Sequence, residues 1–283
     1  MNWGQTARLP HVLRPLHPLP GSSSDQGDTS ITLVAEPSRT GRSFLAGGLQ
    51  QQDAAAEEKQ QWLARMTGCL FLVTFATSIP AFFISYAPIK DPSFILGGDF
   101  TLIVAGGAVL ELILIAANVG TALAIYPVLK GTFPGLSLAF VAARILESTF
   151  IAIGIVAVMA LNSLRSAAFD ADPQTLTAVG AALVAMHDWT FRLGPGVVVG
   201  VGNGLILSWM MWRTRVVPRA LSTLGLLAGP ALLAAGVVVV LGQAEAGGVA
   251  QALATVPELI WELCLGLWLL VKGLDRKAVA DLN

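Results

Sequence analysis

The chain has 283 residues, 54% of them hydrophobic and only 12% charged, with a mean hydropathy of +0.70. A soluble domain carries about 25% charged residues, so the shortfall excludes an ordinary globular enzyme and points to a polytopic membrane protein. A formal net charge of −1 excludes the basic footprint of a nucleic-acid-binding chain.

Residues 1–52 are rich in Pro, Gly, Ser and Arg and lack apolar periodicity. Pro10, Pro15, Pro18 and Pro20 break any helix there. The stretch has no apolar signal-peptide core and reads as a disordered cytoplasmic tail, with an overcalled start as the alternative. Asp53 reads as the N-cap of a helix over 54–65 that leads into the membrane, with Trp62 near the interface.

Six spans follow, at about 66–87, 101–129, 135–161, 190–212, 220–241 and 255–271, and predict an all-α six-transmembrane-helix bundle over 53–274. Pro80 should kink the first span, and 90–99 reads as a polar loop. Asp172-Pro173 is a helix-start signal. The moderately apolar 173–189 is expected to lie at the interface or to extend the fourth span outward, with Gly194-Pro195 as a break. The segment 242–254 reads as a small-residue loop, and Pro257 opens the sixth span. Residues 275–283 form a short tail.

Orientation follows from Lys and Arg near the span ends. Lys59, Arg65, Lys130, Arg213, Arg215, Arg219, Lys272, Arg276 and Lys277 collect on one side, Lys90 and Arg165 on the other. That bias puts both termini in the cytoplasm. No repeat between the two halves is evident.

The third span carries Arg144 and Glu147. Each would cost roughly 2.5–3.5 kcal/mol to insert alone at mid-membrane, and the i,i+3 spacing lets them meet on one helix face. Glu111 and Asn118 share a face of span two, and Glu258 and Glu262 a face of span six. Asp188, Arg192 and Asn203 fall on one face of span four. Counting residues along the spans puts Glu111, Glu147 and Glu262 from mid-membrane to the outer half. His187, Asp188, Arg192 and Glu258 come nearer the outer surface, and Arg144 lies about one turn deeper. Glu111, Arg144, Glu147, His187, Arg192, Glu258 and Glu262 are therefore the candidate ligand-binding residues. Four carboxylates (Glu111, Glu147, Glu258, Glu262) face two guanidinia (Arg144, Arg192), so two carboxylates need protons, a cation or a ligand. The competing explanation is a buried polar knot that only fixes helix packing, at about 0.6 kcal/mol per contact.

Cys69 and Cys264 fall in apolar runs and read as small buried hydrophobes. His11 and His17 lie in the tail and only His187 near a span, so no metal site and no cofactor are expected. Gly196, Gly200 and Gly204 make two overlapping GxxxG steps, suited to close packing inside the chain. Trp209, Trp212, Trp261 and Trp268 read as belt or packing residues. No P-loop, GxSxG, HExxH or CxxC motif is present.

Several loose motifs occur in a telling order: Arg65-x-x-Gly68, Arg144-x-x-Glu147, His187, Pro218-Arg219, and Glu262-Leu-x-Leu-x-Leu-Trp-Leu-Leu-Val-Lys-Gly273. In that order and spacing the chain resembles, over about 62–274, the bacterial membrane family called domain of unknown function 4386. The resemblance implies an integral membrane protein without an assigned activity, with Arg144, Glu147, His187 and Glu262 as motif positions. The long tail and Arg192 depart from the pattern. Three functions stay open. The first is an inner-membrane protein whose outer-half charged pocket binds or moves a small molecule or cation. The second is a membrane-embedded enzyme on a lipid-like substrate, with Glu147 or Glu262 as base and His187 as acid. The third is a packing or partner protein without a ligand. The lipid bilayer is the partner common to all three.

Overall fold

The computed structural model describes residues 39–97, 101–167, 172–245 and 247–282, and these contain no β-strand. Most of the expected tail lies outside the described residues. Six helices are long and apolar enough to cross a membrane: Gln50–Ser85, Thr101–Leu129, Pro134–Ser166, Pro173–Thr214, Arg219–Val240 and Val249–Val271. Helices are the form such segments must take, because lipid offers no partner for backbone N–H and C=O groups.

The burial pattern runs opposite to that of a soluble bundle. On α2 (Thr101–Leu129) the buried stripe holds Glu111, Asn118 and Thr121, while Leu102, Val109, Leu112 and Leu123 are exposed. Polar groups point inward and aliphatic ones outward, as a lipid solvent demands. The chain is thus a multi-pass membrane protein whose outer face contacts the bilayer.

Several boundaries differ from expectation. The first helix, α1, runs Arg39–Pro80, so Asp53 lies inside it and not at its start. Pro80 ends α1 and a π-helical turn, Ala81–Ser85, follows. The supposed polar loop instead forms two 3₁₀ turns, Pro88–Lys90 and Pro92–Leu96. Their Ile89, Phe94 and Ile95 are buried against Leu161 and Leu176. The guanidinium of Arg165, at the end of α3 (Pro134–Ala167), covers Phe94 at 4.5 Å.

There is no break at Gly194-Pro195. The helix α4 (Pro173–Leu193) passes through π-helical turns at Gly194–Val198 and Gly200–Leu207 into α5 (Ser208–Thr214). Wider turns accommodate a proline that cannot donate. At about 1.5 Å per residue this element is roughly twice the bilayer's hydrocarbon thickness, so its first turns project beyond the core. Asp172 does cap α4: it accepts from Thr175 N at 2.9 Å, which with the Thr175 hydroxyl holds its carboxyl below the usual range.

The fourth span packs on α6 (Arg219–Val240) backbone to backbone. A Cβ on Gly229 would sit 2.6 Å from both Gly200 O and Gly204 Cα. The GxxxG steps therefore serve packing within the chain. On α7 (Val249–Val271), which starts earlier than expected, Pro257 is internal. Cys69 and Cys264 are both free and exposed, not buried as their sequence context suggested.

At the end opposite the 3₁₀ turns, Phe140, Leu207, Met210, Met211, Val216 and Trp261 form an apolar seal. The chain after α7 lies against it through Leu274 and through Val279 of α8 (Arg276–Ala280). Gln61 holds this segment by donating to Leu274 O at 2.9 Å and accepting from Leu274 N at 3.0 Å. Gly273 makes the turn with φ +71°, and a Cβ there would collide with Gln61 Oε1. We expect Gly273→Ala to cost at least the 1–2 kcal/mol or so of left-handed backbone strain. It should also expose the segment after Lys272 to protease, as measured by limited proteolysis and detergent unfolding; unchanged digestion would refute this.

Candidate functional site

Arg144 is 2% exposed and is the only Lys or Arg among the described buried residues. Its Nη1 donates to Glu147 Oε2 at 2.7 Å and its Nη2 to Asn118 Oδ1 at 2.7 Å. Asn118 Nδ2 in turn donates to Glu147 Oε1 at 3.0 Å, closing a three-residue ring between α2 and α3. A ring of this kind suits a guanidinium, whose planar fork must find acceptors that lipid cannot supply. Neither Glu111 nor Glu262 is hydrogen-bonded to Arg144; Asn118 is its second partner. Phe71 lies under the guanidinium at 5.7 Å.

Glu111, also buried, accepts from Tyr86 Oη at 2.8 Å. The Tyr86 ring meets His187 edge-on at 4.7 Å. His187 is buried, and its Nδ1 has no hydrogen-bond partner; Asp188 Oδ1 is 3.6 Å away. Asp188 pairs at 2.5 Å with Lys90 from the 3₁₀ turns and at 3.8 Å with Arg192. Arg192 is partly exposed, its guanidinium stacked over Trp189 at 5.1 Å. It does not join the buried layer, so one guanidinium, not two, serves the interior carboxylates.

The third group lies where α7 faces the π-helical part of the fourth span. Asn203, fully buried, donates its Nδ2 to Glu262 Oε1. One turn away, Glu258 is 2% exposed and neither of its oxygens has a partner. Asn203 Oδ1, Trp261 Nε1 and Ser222 Oγ are likewise buried and unpartnered. Gly204 brings the fourth span so close that its Cβ position is 3.1 Å from Glu258 Oε1.

The seven candidate residues thus fall into three places: Arg144 with Glu147, Glu111 beside His187, and Glu258 with Glu262, while Arg192 stands apart. No hydrogen bond among the described residues joins His187 to Glu147 or Glu262. Asn118, Asn203 and Tyr86 are site residues that the candidate set lacked. The signal for the two asparagines was present, since an amide inside an apolar run needs a polar partner. A cleft of ≈ 220 Å³ opens between the 3₁₀ turns and α4, walled by Ile89, Phe94 and Val184 with Lys90 and Asp188 on its lining, and none of the seven lines it. Among the described residues no group of three or more His, Cys, Asp or Glu side chains could hold a metal.

The family model described as Domain of unknown function (DUF4386) matches residues 66–273. Neither the curated proteins nor the solved structures contain a match to the chain. The family match begins in the first span, ends just past the sixth and takes in every buried polar group above. The chain belongs to the DUF4386 family, a domain of unknown function.

Proposed function

We propose that this protein is an inner-membrane protein of a bacterial cell, with both termini cytoplasmic, whose polar interior binds or moves a small molecule or cation. Glu258 carries the reading: a carboxylate 2% exposed with both oxygens unpartnered. Even when protonated, a buried carboxyl without a partner costs about 1–3 kcal/mol, above the ~0.6 kcal/mol a helix-packing contact returns. Packing alone does not account for it. The polar groups extend from Lys90 and Asp188 at one end to the middle of the bundle, and the apolar seal closes the other end. Access is from the outer side, which is the side the charge bias assigns to Lys90.

Two measurements test this. A reporter that works only in the cytoplasm should be active when fused after Asn283; activity there of a reporter that works only in the periplasm would refute the orientation. The purified chain in mild detergent, heated with Na⁺, K⁺, Mg²⁺, Ca²⁺, dodecylamine or anionic lipid between pH 5 and 8, should be stabilised by at least one of them. Saturation at 100 times Kd would add about 2.7 kcal/mol. No shift with any of them would leave the packing-protein reading in its place.

A further inference from the structure

We propose that Glu258, Asn203 and Glu262 form a site for one hard divalent cation, of the Ca²⁺ class. This rests on the reading that the interior is a ligand site, and it names the ligand. Three oxygens are buried without a partner: Glu258 Oε1, Glu258 Oε2 and Asn203 Oδ1. Asn203 is placed by its own bond to Glu262, one turn along α7 from Glu258, so the amide and both carboxyls belong to one cluster. All these atoms are oxygens. The nearest soft ligand on α7, Cys264, is exposed, and His187 belongs to the group around Tyr86. Oxygen-only ligation selects alkaline-earth over transition metals.

Charge narrows the choice further. On one side Glu258 meets backbone: the Cβ position of Gly204 is 3.1 Å from Glu258 Oε1. The charged groups that act on Glu258 are Glu262 on its own helix and Arg144 on α3. From the fourth span the neighbour is Gly204, which carries no charge. Arg144 is matched by Glu147 in a direct pair at 2.7 Å. As carboxylates, Glu258 and Glu262 then leave two negative charges, which one divalent ion cancels and one Na⁺ does not. Ca²⁺ tolerates irregular coordination completed by carbonyls and water, whereas Mg²⁺ requires near-octahedral geometry.

Terbium provides the test, since Tb³⁺ takes Ca²⁺ sites and its emission is sensitised by a nearby indole. Trp261, fully buried three residues from Glu258, is that indole. The full chain in detergent should show saturable Tb³⁺ emission on tryptophan excitation, displaced by Ca²⁺ at lower concentration than by Na⁺. Glu258→Gln and, should that variant not fold, Asn203→Ala should each weaken Tb³⁺ at least tenfold. Trp261→Phe should lose most of the emission yet keep the Ca²⁺-dependent rise in unfolding temperature. Emission untouched by these variants, or displacement by Na⁺ before Ca²⁺, overturns the assignment. Stabilisation by dodecylamine or lipid without any by metal overturns the ion and leaves the ligand reading standing. No stabilisation by anything defeats both.

Discussion

Glu147→Gln is expected to lower the unfolding free energy in mild detergent by about 3–5 kcal/mol, the usual cost of breaking a buried ion pair from one side. The substitution strands Arg144, which is 2% exposed and held by Glu147 and Asn118 alone. A guanidinium cannot shed its proton in a protein, so the charge persists with an amide where its counter-ion was. Arg144→Leu is the contrasting case. It leaves Glu147 with the Asn118 amide at 3.0 Å, and a carboxylate can be neutralised by protonation where a guanidinium cannot. The double variant Arg144→Leu/Glu147→Leu should cost less than the two single changes added together. Simple additivity would mean that the two residues are not coupled.

Gly229→Ala is expected to be damaging through packing. The new Cβ would lie 2.6 Å from Gly200 O and from Gly204 Cα, both backbone atoms that no rotamer change can move. The fourth span and α6 would have to separate. Overpacking of a dense core costs about 1–3 kcal/mol, occasionally more. Separation would also withdraw Gly204 from Glu258, so ligand response should fall together with stability. Gly106→Ala on α2, where a Cβ meets nothing within 4 Å, is the matched control and should be silent. A Gly229→Ala protein as stable as the control would show that the helices are free to part at this contact.

The fold was legible because lipid imposes a coarse code. Long apolar runs must be helices, and polar residues within them must face inward. Arg144 with Glu147 followed from spacing alone, since i,i+3 residues share a helix face. Other features depended on tertiary contacts that spacing does not encode. The segment 90–99 looked polar, yet Ile89, Phe94 and Ile95 fold under it because α3 and α4 extend far enough to cover them. Gly194-Pro195 looked like a break because a proline interrupts an α-helix; the π-helical turns that absorb it are set by packing on α6. Arg192 was expected in the polar set because helical periodicity groups it with Asp188 and Asn203; its side chain instead stays partly exposed beside Asp188 and Trp189 of its own helix. Asn203 was placed on a face, but its bond to Glu262 required knowing which helix lies opposite.

The most direct test of the account compares the unfolding temperature of the wild-type chain and of Glu258→Gln across the same series of Na⁺, K⁺, Mg²⁺, Ca²⁺, dodecylamine and anionic lipid. The account predicts that wild type is stabilised in a saturable way by at least one member. It also predicts that Glu258→Gln, freed of a bare buried carboxylate, is no less stable without ligand and loses most of that response. Equal ligand response in the two proteins, or a large loss of stability in Glu258→Gln with no ligand response in wild type, would contradict it.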